Sequence, residues 1–360
     1  MQVHVVDPSA FTPPYDHALC AGLARAGAQV ELITSRFDHG PRPPAEDFVV
    51  REAFYRHVPG SPGSAARRAA KLAEHGPDLL RYRGAARAAD VVHVQWLAVP
   101  PLDARLMPSG RRGLAYTAHN AAREGLGPSE RRMCSRAAAV VVHSEAARRQ
   151  VEEQRAAPAD RVHVIPHGAF HYLTDLPDER PLPAELAEVD GPVVLCFGLL
   201  RPYKGIDVLL EAWRGIEGAE LWVVGAPRMD LAPLRAAAPP GVRFVPRFVP
   251  DPEVPAFLRR AALVVLPHTR VDQSGAAFAA LAFGKPLLLT AVGGFPDLAA
   301  TGAATLVPPA DPAALHAELA RLIADPEALA AMGAAAAAAA AGPYSWDAIG
   351  RRTLQLYTEL

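Results

Sequence analysis

The sequence predicts an α/β protein of two tandem domains, each a doubly wound parallel sheet of the Rossmann-like kind. Three observations carry this. Short apolar runs recur along the chain and alternate with stretches of helical spacing. Glycine marks the ends of several runs, at Gly198, Gly225, Gly275 and Gly293-Gly294, where backbone must turn or approach a ligand. The length, 360 residues, exceeds what one core of this kind usually holds.

In chain order, residues 3–6 read as a first strand rather than a leader segment. A helix over 16–26 follows and stops at Gly27. Further strands are expected at 30–34, 91–95, 114–118, 140–143 and 162–165. Residues 173–191, rich in Pro, Asp and Glu, read as a solvated linker between domains 1–172 and 192–343. The second half repeats the alternation, with strands at 193–197, 220–224, 242–245, 263–266, 287–290 and 305–307. Eight consecutive alanines, 334–341, give a low-complexity helix without chemistry of its own. Residues 344–360 form a last segment carrying an amphipathic helix.

Composition narrows the function. Half the residues are apolar, 21% are charged and the net charge is −1, so bulk electrostatics give no nucleic-acid role. Cys20, Cys134 and Cys196 are scattered, which argues against a disulfide framework. No HExxH and no compact Cys/His cluster occurs, so neither a metal site nor a cofactor is expected. No apolar run is long enough to span a bilayer, and a reduced, cytoplasmic location fits the cysteine usage. The Arg67-Arg68-Lys71 and Arg81-Arg83-Arg87 groups read as solvated faces, with peripheral binding at the inner membrane surface as the open alternative.

The strongest chemical signal lies between residues 193 and 308. Arg201 and Lys204 follow the strand 193–197 and its closing Gly198, and residues 206–213 then take helical spacing. Two cations between a strand's carboxyl end and a helix N-terminus form an anion site, to which the helix's free N–H groups and dipole add. The expected anion is a phosphate or diphosphate. Lysine is rare in this chain, three residues against 34 arginines, so its presence in that loop stands out. Ser274-Gly275 suits either a helix N-cap or a ligand contact.

An ordered series of segments carries a family resemblance. They are Phe197-Gly198-Leu199-Leu200-Arg201-Pro202-Tyr203-Lys204-Gly205, Ala262-Leu263-Val264-Val265-Leu266-Pro267, Gln273-Ser274-Gly275, Ala282-Phe283-Gly284-Lys285-Pro286 and Val292-Gly293-Gly294-Phe295-Pro296-Asp297. In the first half Phe11-Thr12-Pro13-Pro14-Tyr15-Asp16, Ala118-His119-Asn120 and Ile165-Pro166-His167-Gly168 agree more loosely. Together they resemble the group-4 family of nucleotide-sugar glycosyltransferases with the GT-B fold. The resemblance implies that the first domain serves the acceptor, the second the donor, and that residues 344–360 return to the first domain. It implies that Lys204 and Arg201 hold the donor diphosphate, with donor contacts at Gly198, Asp272, Gln273, Ser274, Gly275, Gly293, Gly294 and Phe295. It places His119 toward the donor sugar and Tyr15 and Asp16 on the acceptor side, and leaves His93, His143 and His167 as core residues.

Three departures mark a subgroup. Val271 and Ala279 stand where many members carry glutamates, Leu199 stands where many have arginine, and the glycine pair near the first strand is missing. A Gln-Ser-Gly loop replaces the glutamate pair. The implied activity is metal-independent sugar transfer, with retention of configuration, from a nucleotide-diphosphate sugar to a glycan, lipid-linked or small-molecule acceptor. A non-catalytic nucleotide-sugar-binding homologue and a nucleotide-sugar epimerase are the rival readings. No GxGxxG opens either domain, which counts against a dinucleotide-dependent dehydrogenase.

Overall fold

A computed structural model describes residues 1–37, 44–58 and 64–360 of the chain, without the side chains of Arg123 and Glu124. Among these residues the short β-branched runs form two sheets, and every strand pair in them is parallel. The first sheet contains β1 (Gln2–Asp7), β2 (Gln29–Ser35), β3 (Val49–Phe54), β4 (Val91–Val94), β5 (Gly113–Thr117), β6 (Ala139–Val142) and β7 (Val162–Val164). Its order is β3-β2-β1-β4-β5-β6-β7. The second contains β8 (Val193–Phe197), β9 (Glu220–Val224), β10 (Val242–Val245), β11 (Leu263–Leu266), β12 (Leu287–Thr290) and β13 (Ala304–Val307), in the order β10-β9-β8-β11-β12-β13.

Strands buried on both faces are expected to be largely apolar. The central strands are so: all four residues of β4, β6, β11 and β12 are buried, with His93 and Thr290 the two polar residues among them. In each sheet the strand order reverses once, between β1 and β4 and between β8 and β11. Such a switch point opens a crevice at the strands' carboxyl ends, where ligands of α/β sheets bind. This is the two-sheet α/β architecture that the alternation predicts. β4, β5, β6 and β7 each stop one residue short of the expected ends, although the next N–H still joins the ladder, as in Gln95 N–H to Val6 O at 2.8 Å and Ile165 N–H to Val142 O at 2.9 Å.

Two elements escape the sequence pattern. β3 is an edge strand with mixed polarity, so no continuous apolar run announces it. The helix Ala65–Ala86 contains Gly76 and Pro77, which read locally as breaks. Its Ser64 accepts the N–H of Arg67 at 3.2 Å and caps it.

The chain forms two compact units, Met1–Gly168 with Tyr344–Leu360, and Ala169–Pro343. The stretch 173–191 is therefore not a solvated linker. It belongs to the second unit and packs on it. Arg259 Nη2 donates to Thr174 O at 3.0 Å, Arg180 N–H donates to Pro252 O at 2.7 Å, and Leu173 and Leu186 are buried. Its acidic composition reflects exposed positions between these anchors.

In the first unit the final helix, Trp346–Thr358, crosses the first helix, Pro13–Arg25, at a point where both backbones carry glycine. A Cβ on Gly22 would stand 2.2 Å from Trp346 O, and one on Gly350 would stand 2.2 Å from Gly22 C. The contact exists because neither helix has a side chain there. Tyr357 completes the attachment, with its hydroxyl 2.5 Å from His93 Nδ1. Among the described residues no single helix is long and apolar enough to cross a membrane.

The crossing gives a stability contrast. Gly22→Ala is expected to cost about 1–3 kcal/mol by overpacking. Gly84→Ala, in a helix interior with nothing within 4 Å of the new Cβ, is expected to stabilise by about 0.5–1 kcal/mol. Urea unfolding midpoints compare the two; equal midpoints would refute the close crossing.

Candidate functional site

In the second unit, β8 ends at Gly198, whose φ of 116° is strained for any residue with a Cβ. A Cβ there would lie 3.6 Å from Lys204 Nζ and 4.0 Å from Ala276 Cβ. Three sequence-separated pieces therefore converge on Gly198: its own strand end, the Lys204 ammonium, and the start of the helix Gly275–Ala282. The single-turn 3-10 helix Pro202–Lys204 turns the lysine back over the strand. Lys204 is only 9% exposed and makes no salt bridge among the described residues. Burial pushes its ammonium down to about 8, Cys196 beneath opposes this slightly, and Arg201 adds to it. Arg201 is half-buried and likewise has no carboxylate partner among the described residues. An unpaired buried cation is costly, so this arrangement favours an incoming anion.

Ser274 precedes the helix Gly275–Ala282 without capping it. Its hydroxyl is 4% exposed and has no hydrogen-bond partner among the described residues. The simple capping role is thus absent, and the first helical N–H groups remain uncapped by that side chain. Val271 and Ala279, at the positions where the resemblance expects glutamates, are buried apolar residues. No carboxylate from those positions neutralises Lys204.

Asp272, Gln273, Gly293 and Gly294 lie together for a reason besides ligand approach. Gly293 has φ 54°, and a Cβ on it would stand 2.0 Å from Val271 O. A Cβ on Gly294 would stand 2.4 Å from Gln273 Nε2, and Gly294 N–H donates to Asp272 O at 3.1 Å. The glycine pair lets two loops of this unit touch backbone to backbone. Phe295 is fully buried and packs edge-on against His268, ring centroids 5.3 Å apart.

His268 was not singled out by the sequence. It directly follows Pro267 at the end of β11, is fully buried, and neither ring nitrogen has a hydrogen-bond partner among the described residues. Burial first, and the Lys204 charge second, drive its basicity far below the ordinary range, so the ring is neutral at pH 7. Its place one step past a strand of the switch point was the signal that could have found it.

In the first unit, His119 follows β5 and is half-buried. Trp96 lies flat on it, centroids 4.3 Å apart and planes 7° from parallel. Trp96 is fixed by its indole N–H, which donates to Thr12 Oγ1 at 2.8 Å, and Phe11, 65% exposed, leans on its other neighbourhood at 4.5 Å. His143 Nε2 lies 3.1 Å from His119 Nδ1, and Gln95 lies 3.2 Å from His119 Nε2. Burial lowers His93 and His167 to about 3 and His143 to about 4, and it takes His119 well below its usual value. The rings are neutral at pH 7.

Tyr15 and Asp16, which the sequence leaves as acceptor contacts or simply a helix start, lie in the first turn of the helix Pro13–Arg25 and are buried. Tyr15 is 5% exposed and packs against His119, His143, His167 and Trp346. Asp16 is 1% exposed, and burial together with the Asp7 charge raises its carboxyl well above the carboxylate range. The helix they open is buried over most of its length, whereas Phe11, before the helix, is exposed. Among the described residues no three His, Cys, Asp or Glu side chains form a metal-ligand group.

Two parallel sheets, each with a single switch point, define an α/β protein of the GT-B class, and comparison with known proteins agrees. Residues 15–169 match the family described as Glycosyltransferase Family 4, and residues 191–325 match Glycosyl transferases group 1. The chain belongs to this family of glycosyltransferases. An alpha-D-kanosaminyltransferase of Streptomyces kanamyceticus is 28% identical over 64% of this chain and 63% of its own length. A D-inositol 3-phosphate glycosyltransferase of Thermobispora bispora is 32% identical over 59% of this chain and 53% of its own length. The chain thus matches between about half and two thirds of the length of these relatives. In fold it resembles the sucrose-phosphate synthase of Thermosynechococcus elongatus, with TM-score 0.72, 20% identity, and coverage of 100% of this chain and 98% of that one. Anabaena HepE, solved with UDP and glucose, has TM-score 0.71 and 20% identity over the full length of both chains.

The loop contact at Gly293 is testable. Gly293→Ala combines a left-handed backbone with a clash against Val271 O and is expected to cost about 2 kcal/mol or more. Thermal or urea denaturation of the purified variant measures it, and wild-type stability would contradict the contact.

Proposed function

We propose that the chain transfers a sugar from a nucleotide-diphosphate sugar to an acceptor hydroxyl, without a metal ion and with retention of configuration. The observation that carries this reading is Lys204, a buried ammonium without an acidic partner, held beside the β8 strand end and the start of the helix Gly275–Ala282. In sugar transfer the anomeric carbon becomes oxocarbenium-like while negative charge gathers on the departing diphosphate. Lys204, Arg201 and the helix N–H groups offer preorganised positive potential to that charge. The orphan Ser274 hydroxyl supplies one further donor. With these groups neutralising the leaving group, no metal is required for the step.

The names of the relatives support sugar transfer and leave the sugar open, since they include kanosamine, inositol 3-phosphate and GDP-mannose chemistry. HepE, solved with UDP, supports a nucleoside diphosphate as the ligand of the second unit. Retention rests on the family resemblance. For the acceptor, the exposed ring of Phe11 beside Trp96 offers an apolar surface on which a sugar or cyclitol ring can lie, next to the polar His119.

Lys204→Ala is expected to lower transfer by roughly two orders of magnitude or more while the protein stays folded. The ammonium of the free protein is charged below about 8 and neutral above it, so kcat/KM for the donor should fall as pH rises through that value. Lys204→Arg, permanently charged, should lose this alkaline limb even if its rate is lower. Transfer should persist in EDTA. Steady-state assays with a panel of nucleotide sugars check all three. Normal turnover of Lys204→Ala, or full loss in EDTA with rescue by Mn²⁺ or Mg²⁺, would overturn the assignment.

A further inference from the structure

The four strand ends of β4, β5, β6 and β7 place Gln95, His119, His143 and Ile165 in one hydrogen-bonded row. The row fixes where the protons are. His143 Nδ1 lies 2.9 Å from Ile165 O, and a carbonyl only accepts, so His143 carries its proton on Nδ1. A neutral imidazole has one N–H, so His143 Nε2 is an acceptor. His119 Nδ1, 3.1 Å from it, must then be the donor. That leaves His119 Nε2 bare.

Gln95 supplies an independent check. With its Oε1 toward His119 Nε2 at 3.2 Å, two acceptors face one another and the buried Gln95 Nε2 has no partner. Turning the amide about its last bond resolves both faults, because Nε2 then donates to His119 Nε2. The carbonyl oxygen takes the orphan place, and an unsatisfied buried oxygen is better tolerated than an unsatisfied N–H. A doubly protonated His119 is the alternative that would suit the first orientation. It would be an unpaired cation, since Trp96, Tyr15, His143 and Gln95, the groups in contact with it, are all neutral.

We infer that His143 and Gln95 are positioning residues that hold His119 as its Nδ1–H tautomer, so that His119 meets a ligand as a hydrogen-bond acceptor and selects a hydroxyl. This deepens the proposed function and rests on it only for the identity of the ligand as a sugar. The stack with Trp96 fixes the plane of the ring, and the row fixes its proton. A sugar hydroxyl can donate to Nε2 in exchange for the Gln95 amide. A carboxylate or phosphate oxygen at the same place finds no donor on His119. Sugars carrying a carboxylate there are therefore disfavoured against those carrying a hydroxyl.

The test reads the proton directly. Long-range ¹H–¹⁵N correlation of the ¹⁵N-histidine-labelled full chain at pH 7, assigned with His119→Gln, is expected to show His119 protonated on Nδ1 alone. An Nε2–H tautomer or an imidazolium would overturn the inference, whatever the activity of the protein. In His143→Leu the Nδ1–H signature should give way to a tautomer mixture. kcat should fall roughly tenfold or more through lost orientation, with affinity for the bare nucleoside diphosphate within about twofold of wild type. His143→Gln, which keeps a donor for Ile165 O and an acceptor for His119, should recover much of the loss and the tautomer. Unchanged tautomer and kcat in His143→Leu would overturn the positioning role. If His143→Leu fails to fold, the wild-type spectrum and His143→Gln decide it alone. A correct tautomer in a protein that transfers no sugar would instead count against the proposed function.

Discussion

Every described strand runs parallel to its sheet neighbours, and the chemistry of the molecule depends on that constraint. Parallel pairing brings all the carboxyl ends of one sheet out along one edge, so residues that directly follow strands become spatial neighbours. In the first unit this gathers Gln95, His119, His143 and Ile165 from positions up to 70 residues apart in sequence, 95 to 165. In the second it brings Gly198 after β8 and His268 after β11 to the switch point. Antiparallel pairing would alternate the ends and disperse both sets.

Those edges are where polar groups are buried, and the two units treat the burial differently. In the first unit burial disfavours charge. The histidines lose their protons, the Asp16 carboxyl is raised well above its ordinary value, and hydrogen bonds in defined directions link the row. In the second unit Lys204 remains largely cationic at pH 7 although almost covered, because burial brings it only to about 8. Cys196, with its thiol pushed up to about 11, and the neutral His268, both of which feel its charge, give it no counter-charge. One edge therefore carries neutral groups in directed hydrogen bonds, and the other holds a positive charge without a carboxylate partner among the described residues.

The packing that supports these edges uses the absence of side chains as much as their presence. Gly22 and Gly350 let two helices of the first unit touch, which holds Tyr357 under His93 and Trp346 against Tyr15. Gly293 lets the loop after β12 meet Val271 O. Replacing the expected glutamates by Val271 and Ala279 acts on the same economy: the site keeps its shape through apolar packing and gives up two acidic groups near a cation.

The central strands were legible because a strand covered on both faces is largely apolar, and a short, mostly apolar run says so locally. Lys204 was legible too, since a strand-end glycine, two cations and a helix start lie within a dozen residues. The edge strand β3, the helix through Gly76-Pro77 and the packed course of 173–191 were not, because their partners lie elsewhere in the chain and local composition pointed the other way. The burial of Tyr15, Asp16 and Phe295 was not legible either, because which way a side chain faces depends on what packs over it. By itself the sequence determined the alternation of strand and helix, the family and the strand-end loop that carries Arg201 and Lys204, all properties of short contiguous segments. Only the tertiary structure decided which strand ends are adjacent, and with that the row from Gln95 to Ile165, the isolation of Lys204 and the place of His268, because a hydrogen bond or an unpaired charge is defined by neighbours in space.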